Sequence, residues 1–172
     1  EKVFEKIELG PGMRVADFGC GRTGHLVFPS AKIVGEDGIV YAVDIIKNIL
    51  TSIESIAKDE GYHNVKTVWS DIEMYGKTPI PGESLDAIFF INVLSQLKKN
   101  KSALKEAKRL LQKNGFLVII DWTKKLGILG PSEENMISEE KLDNLISEFG
   151  LQKHYSDQIN EYHYLVIYKK TG

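Results

Sequence analysis

The residues from Val15 to Gly24 read Val-Ala-Asp-Phe-Gly-Cys-Gly-Arg-Thr-Gly, an apolar strand that carries Asp17 near its end and turns on glycines 19, 21 and 24. Glycines in such a turn adopt torsions closed to other residues, and they let a ligand approach the backbone without meeting a Cβ. The spacing fits G-x-G-x-x-G, the fingerprint of a dinucleotide loop. Asp44 falls at about the distance expected of an acid that takes ribose hydroxyls.

The acids around this loop favour a different ligand. Asp17, Asp44 and Asp71 each follow an apolar run that reads as a strand, so three carboxylates are expected along one sheet edge. Such a cluster repels a pyrophosphate and favours a cation carrying ribose and adenine. S-adenosylmethionine, a sulfonium, meets that description. Arg22, inside the loop, suits a phosphate instead, but a side chain in a turn can point to solvent.

Five stretches in order carry a family resemblance: Leu9-Gly10-Pro11-Gly12-Met13-Arg14-Val15 into Asp17-Phe18-Gly19-Cys20-Gly21; Val40-Tyr41-Ala42-Val43-Asp44-Ile45; Trp69-Ser70-Asp71-Ile72; residues 85–94; and residues 110–121. On these the chain resembles a class I S-adenosylmethionine-dependent methyltransferase over nearly its whole length, and in particular the small ubiquinone/menaquinone-biosynthesis type. The resemblance implies a Rossmann-like α/β fold with a seven-stranded sheet in order 3-2-1-4-5-7-6, strand 7 antiparallel. It also implies a cofactor set of Asp17, Gly19, Cys20, Gly21, Gly24, Asp44, Ile45, Asp71, Ile72 and Asn92. Within that set Asp71 partners the adenine amino group, Ile45 and Ile72 border the adenine, and the Asn92 segment meets the methionine ammonium through a backbone carbonyl. S-adenosyl-L-homocysteine is the implied product. Two alternatives stay open, a non-catalytic scaffold that binds S-adenosylmethionine and a nicotinamide oxidoreductase using the same loop.

The elements that must position these residues alternate. Short runs rich in Val, Ile and Phe at 13–18, 39–44, 65–70, 85–91 and 115–121 suit strands buried on both faces of a parallel sheet. Helical spacing links Ile46, Ile49, Leu50, Ile53 and Ala57, with Gly61 as a C-terminal cap. Leu104, Ala107, Leu110 and Leu111 repeat the pattern, closed by Asn114-Gly115. Ser138 opens a helix whose buried face is Leu142, Leu145, Ile146 and Phe149, ending at Gly150. The runs 151–156 and 162–169 are too close for a parallel crossover and predict an antiparallel hairpin. Only a short helix precedes the first strand, so an N-terminal cap over the cleft is expected to be small, absent or outside this sequence.

With 172 residues, of which 42% are hydrophobic, the chain suits one domain spanning 1–172. A net charge of -2 gives no footprint for a nucleic-acid backbone. The lysines between 98 and 113 alternate with apolar positions at helical spacing and read as a solvated helix face. No apolar run reaches the roughly 20 residues of a membrane span, and the opening residues carry no signal-peptide pattern. One cysteine allows no internal disulfide and fits a reducing compartment, so a cytoplasmic protein is expected.

Candidates near the chemistry are Asp121, His25 and Trp122, with His163 a further residue to test. Asp121 ends the fifth strand and is expected to open onto the cleft. It is followed by Trp122 rather than by the Asn of a catechol-type metal pair, so no metal is expected. Asn92 is followed by Val93 and Leu94, unlike the N/D-P-P-Y/F motif of enzymes that methylate exocyclic amines of bases. The expected chemistry is an in-line displacement onto a small-molecule acceptor, driven by orientation without a dedicated base. The irregular stretch Trp122–Pro131 is the expected acceptor wall, and Gly24 the most tolerant of the three loop glycines.

Overall fold

A computed structural model describes residues 2–172. Seven strands form one sheet: β1 (Arg14–Phe18), β2 (Ile39–Asp44), β3 (Val65–Trp69), β4 (Leu85–Ile91), β5 (Leu111–Trp122), β6 (Leu151–Gln158) and β7 (His163–Lys170). Their order is β3-β2-β1-β4-β5-β7-β6. Strands β1 to β5 pair in parallel, and β7 runs antiparallel to both β5 and β6. The helices are α1 (Lys2–Lys6), α2 (Val27–Val34), α3 (Lys47–Glu60), α4 (Asn100–Leu110) and α5 (Glu139–Ser147).

The strands are apolar on both faces because both faces are covered. On one side, Leu104, Ala107 and Leu110 of α4 and Leu142 and Ile146 of α5 pack against Phe18, Ile88 and Phe90. On the other, Val27, Ala31 and Val34 of α2 and Leu50, Ile53 and Ala57 of α3 pack against Val15, Val40 and Phe89. Burying one such aromatic or aliphatic side chain is worth on the order of 1.5–3 kcal/mol. The Phe18 and Phe90 rings meet edge-on at 5.3 Å and lock β1 to β4. Strand order reverses at β1, which lies between β2 and β4, and a crevice therefore opens at the C-terminal strand ends.

The helix patterns hold, with shifted ends. Helix α3 begins at Lys47 and ends on Gly61, which is left-handed and donates to Ala57 and Lys58. Ser138 accepts the Lys141 amide and caps α5. Helix α4 stops at Leu110 rather than at Asn114-Gly115. The chain enters β5 at once, with Leu111 opposite Leu85, and a bulge shifts the register before Ala87 pairs Phe116. Asn114, with φ of 65°, sits inside that irregularity. Helix α2 was not among the helical patterns legible in the sequence. Pro29 masks it, although at the third helical position its missing N–H leaves no helical bond unmade. Among the described residues, no helix is long and apolar enough to cross a membrane.

Candidate functional site

The turn after β1 is tied down by its own amides: Gly19 and Cys20 both donate to the Val43 carbonyl of β2, at 2.8 and 3.2 Å. Its glycines do different things. A Cβ on Gly19 would lie 2.6 Å from Val93 Cγ2, so the turn packs closely on the segment after β4. Gly21 has φ of +67° and open space where a Cβ would stand, at the wall of a cavity. Gly24 is buried, and a Cβ there would lie 2.6 Å from the Phe28 ring and 2.9 Å from Ile53 Cδ1. It seats the loop on α2 and α3, which overturns its expected tolerance to substitution.

The cavity, about 460 Å³, occupies the crevice at the ends of β1 to β4. Its charged lining residues are Asp44, Asp71 and Glu73, and among the described residues no lysine, arginine or histidine lines it. Asp44 Oδ1 accepts the Ile46 amide at 3.0 Å and Asp71 Oδ1 the Glu73 amide at 2.9 Å. These bonds aim both carboxylates while leaving the second oxygen of each for another donor. Ile46, the N-cap residue of α3, offers no side-chain cap of its own, and Asp44 holds its amide. Ile45, which is 53% exposed, and the buried Ile72 give apolar walls. Asn92, left-handed with φ of 57°, donates its amide to the Ile120 carbonyl at 2.8 Å. Its buried Oδ1 has no partner among the described residues, an acceptor short of a donor.

Asp17 stands apart. It is 4% exposed, lies between Ala42 and Phe89 in the sheet, and does not line the cavity. The Gly19 and Cys20 amides, which follow it in the chain, donate to the Val43 carbonyl rather than to its carboxyl. Burial, reinforced by the charge of Asp44, pushes its carboxyl up to about 7.

Other expected residues fall elsewhere. Cys20 is buried in the layer under α2 and α3, and burial, with Asp17 and Asp44 beside it, pushes its thiol well above the ordinary range. His25 and Arg22 are exposed and do not line the cavity. Asp121 does not open onto the cleft: it is 1% exposed, and its two oxygens accept the amides of Trp122 at 2.8 Å and Ser95 at 3.2 Å. It clamps the end of β5 to the 3-10 turn Leu94–Gln96. Trp122 lines a second cavity of about 460 Å³ with Met136, Gln158 and Tyr164, at the same sheet edge. Its ring lies 4.3 Å from that of His163, its cross-strand partner. Lys124 and Lys125 line this second cavity as well, which places the start of the 122–131 stretch on its wall.

Sequence reasoning missed Ser70, Glu73, Val93, Gln96 and Leu97 at the first cavity. They sit in turns with no periodic signal. Gln96 reaches back through Nε2 to the Asn92 carbonyl, the atom the resemblance assigned to the ligand.

A doubly wound α/β sheet with a glycine turn and an acidic crevice at its switch point defines the class of nucleoside-binding folds to which small methyltransferases belong. The chain belongs to the methyltransferase-domain family, whose sequence pattern matches residues 9–169. It is similar to the ubiquinone/menaquinone biosynthesis C-methyltransferase UbiE of Vibrio campbellii, with 31% identity over 117 residues, 67% of this chain and 44% of the relative. It is also similar to aklanonic acid methyltransferase DauC of Streptomyces sp. (strain C5), 35% identical over 77 residues, 45% of this chain and 33% of the relative. The chain thus spans less than half the length of these two relatives. A solved SAM-dependent methyltransferase from Aquifex aeolicus superimposes with a TM-score of 0.86 at 28% identity, covering 99% of this chain and 88% of that one.

Proposed function

We propose that residues 1–172 act as one domain that transfers a methyl group from S-adenosylmethionine to a small-molecule acceptor. The observation that carries this is the cavity built around a glycine turn and lined by Asp44, Asp71 and Glu73, with no basic residue among those described. A pyrophosphate meets only repulsion there, which disfavours a nicotinamide dinucleotide, whereas a sulfonium with an ammonium is attracted. The residues present fit that group: Gly21 offers open space, and the buried Asn92 Oδ1 lacks a donor.

Asp44 holds the ribose hydroxyls, Asp71 takes the adenine amino group, and Ile45 and Ile72 flank the adenine. Asn92 and the Gly19–Gly21 backbone take the methionine part. Asp17 sits behind the turn and adds negative charge; Cys20 and Gly24 shape the turn from beneath. Bound S-adenosylmethionine supplies a methyl open to in-line displacement, with S-adenosylhomocysteine as the leaving product. Holding the acceptor in line contributes several kcal/mol without a base. The second cavity, with Trp122, Tyr164 and the start of the 123–131 loop, is the acceptor side. Relatives named for aklanonic acid and for ubiquinone/menaquinone biosynthesis support a small organic acceptor. A cytoplasmic setting is supported by the single, buried cysteine.

Calorimetry with S-adenosylmethionine, S-adenosylhomocysteine and NAD tests the reading. Binding of the two sulfur ligands without NAD is expected; NAD binding without S-adenosylhomocysteine overturns it.

A further inference from the structure

A groove far larger than either site cavity, about 1230 Å³, runs along α4 and has no place in the proposed reaction. Its walls carry Lys98, Lys99, Lys101, Lys105, Lys108 and Arg109. In a chain of net charge -2 this is a strong local concentration of one sign. Some of these cations are already spent. Arg109 makes two bonds to the buried Glu106 carboxylate, whereas Lys101 meets Glu148 only in a half-exposed pair of the kind worth little and open to exchange. Lys170, buried at the groove's floor, donates to Glu83 and to the Lys108 and Leu111 carbonyls. Lys98, Lys99, Lys105 and Lys108 pair with no carboxylate among the described residues. Lys101, Lys105 and Lys108 follow one another at i, i+4 and i+7, so they form a stripe over about 10 Å of helix axis.

We propose that this groove docks an acidic helix of a protein partner. The arrangement decides between anionic partners. A small anion needs desolvated donors converging on one point, but the one deeply buried ammonium, Lys170, already has all three donors bonded. A nucleic-acid strand extends beyond so short a stripe, and at the groove's edges it meets Glu83 and Glu148. It also finds the buried Phe149 ring covered by Lys101 and Lys105, at 6.0 and 5.8 Å, and so closed to base stacking. A helix with carboxylates at the same i, i+4, i+7 period matches both the charge and the pitch. The upper end of the groove adjoins the first cavity, since Leu97 lines that cavity while Lys98 lines the groove. The Lys99 amide donates to Glu73, which lines the cavity too. A docked partner therefore ends beside the adenine side of the site.

The test is fluorescence anisotropy of the whole chain with a labelled alanine-based helical peptide carrying glutamates at i, i+4, i+7 and i+11. A peptide of the same composition, with glutamates spread around the helix, serves as the control. Binding of the striped peptide is expected to weaken about tenfold or more in the K98E/K105E/K108E variant, and with rising salt. S-adenosylhomocysteine affinity, measured on the same samples, is expected to stay unchanged and so shows the variant folded. Equal binding by both peptides, unchanged binding in the variant, or tighter binding of oligouridylate or phosphatidylglycerol vesicles overturns the proposal. If S-adenosylhomocysteine fails to bind the wild type, the reaction falls while the groove is still judged by the peptide.

Discussion

At the scale of single residues, Asp44 is expected to dominate ligand affinity. A carboxylate receiving two hydroxyls makes charge-assisted bonds worth about 1.5–3 kcal/mol. Asp44→Ala should therefore weaken S-adenosylhomocysteine roughly 10- to 150-fold in calorimetry. Unchanged affinity in the folded variant would remove Asp44 from the site. The glycines separate by what surrounds them. Gly21→Val puts bulk into open cavity space, so binding should vanish while most of the fold persists, at the cost of strain from a left-handed torsion. Gly24→Val drives a side chain into Phe28 and Ile53, and its melting temperature should fall well below that of Gly21→Val. Equal melting temperatures would refute the division of roles. The two positions look alike in the sequence, because a motif records which residues are glycine and not which neighbour demands it.

At the scale of elements, the part hidden from the sequence is what α4 does for the site. Its lysines suggested a solvated face, yet Glu106 on the same helix is fully buried. Glu106 accepts the amides of Gly76 at 2.6 Å and Thr78 at 3.0 Å, and two bonds from Arg109. Burial pushes its carboxyl up, and Arg109 with the two amides more than reverses this, leaving it below the usual range. The stretch so held continues from Asp71 and Glu73. Spacing along α4 cannot reveal a bond to a loop 28 residues away. Glu106→Ala leaves two amides unpaired and Arg109 with only the Thr78 carbonyl, so stability should drop by about 1–3 kcal/mol in denaturant melts. A loss below about 1 kcal/mol would show the clamp to be solvated. Asp121 is the second clamp. Asp121→Ala frees the Ser95 and Trp122 amides and loosens the segment from Asn92 to Gln96, which lines the first cavity. Weaker S-adenosylhomocysteine binding is expected together with a fall in kcat/KM of about 10²-fold or less. A larger fall in kcat with ligand binding intact would name Asp121 a base instead. The sequence placed it correctly at the end of β5, but could not show that both its oxygens turn back onto amides.

At the scale of the whole molecule, the strands were legible as buried apolar runs and the hairpin from its short connection, whereas the strand order, which no local run encodes, came from the family resemblance. The ionisation of the site was not legible, since it depends on how deep each acid lies. Asp17 carries the consequence. Unfolded, it ionises near 3.8; folded, burial and the Asp44 charge hold it protonated up to about 7. Between those values the native state binds more protons than the unfolded one, so Asp17 makes stability fall as pH rises through that window. The full penalty is present above about 7 and absent below about 4. Asp17→Asn removes the ionisation, so the variant should melt higher than wild type at pH 8, with the gap closing toward pH 4.5. A cationic ligand reverses the penalty, because its charge favours ionised Asp17. Wild-type affinity for S-adenosylmethionine should then climb as pH approaches 7 and level off above it, while Asp17→Asn binds more weakly at pH 8 and loses the climb. Thermal melts and calorimetry at matched ionic strength read both halves. An Asp17→Asn variant that is less stable than wild type at pH 8 would mean the carboxylate is ionised and satisfied in the folded chain, and its proposed electrostatic role behind the glycine turn would fail.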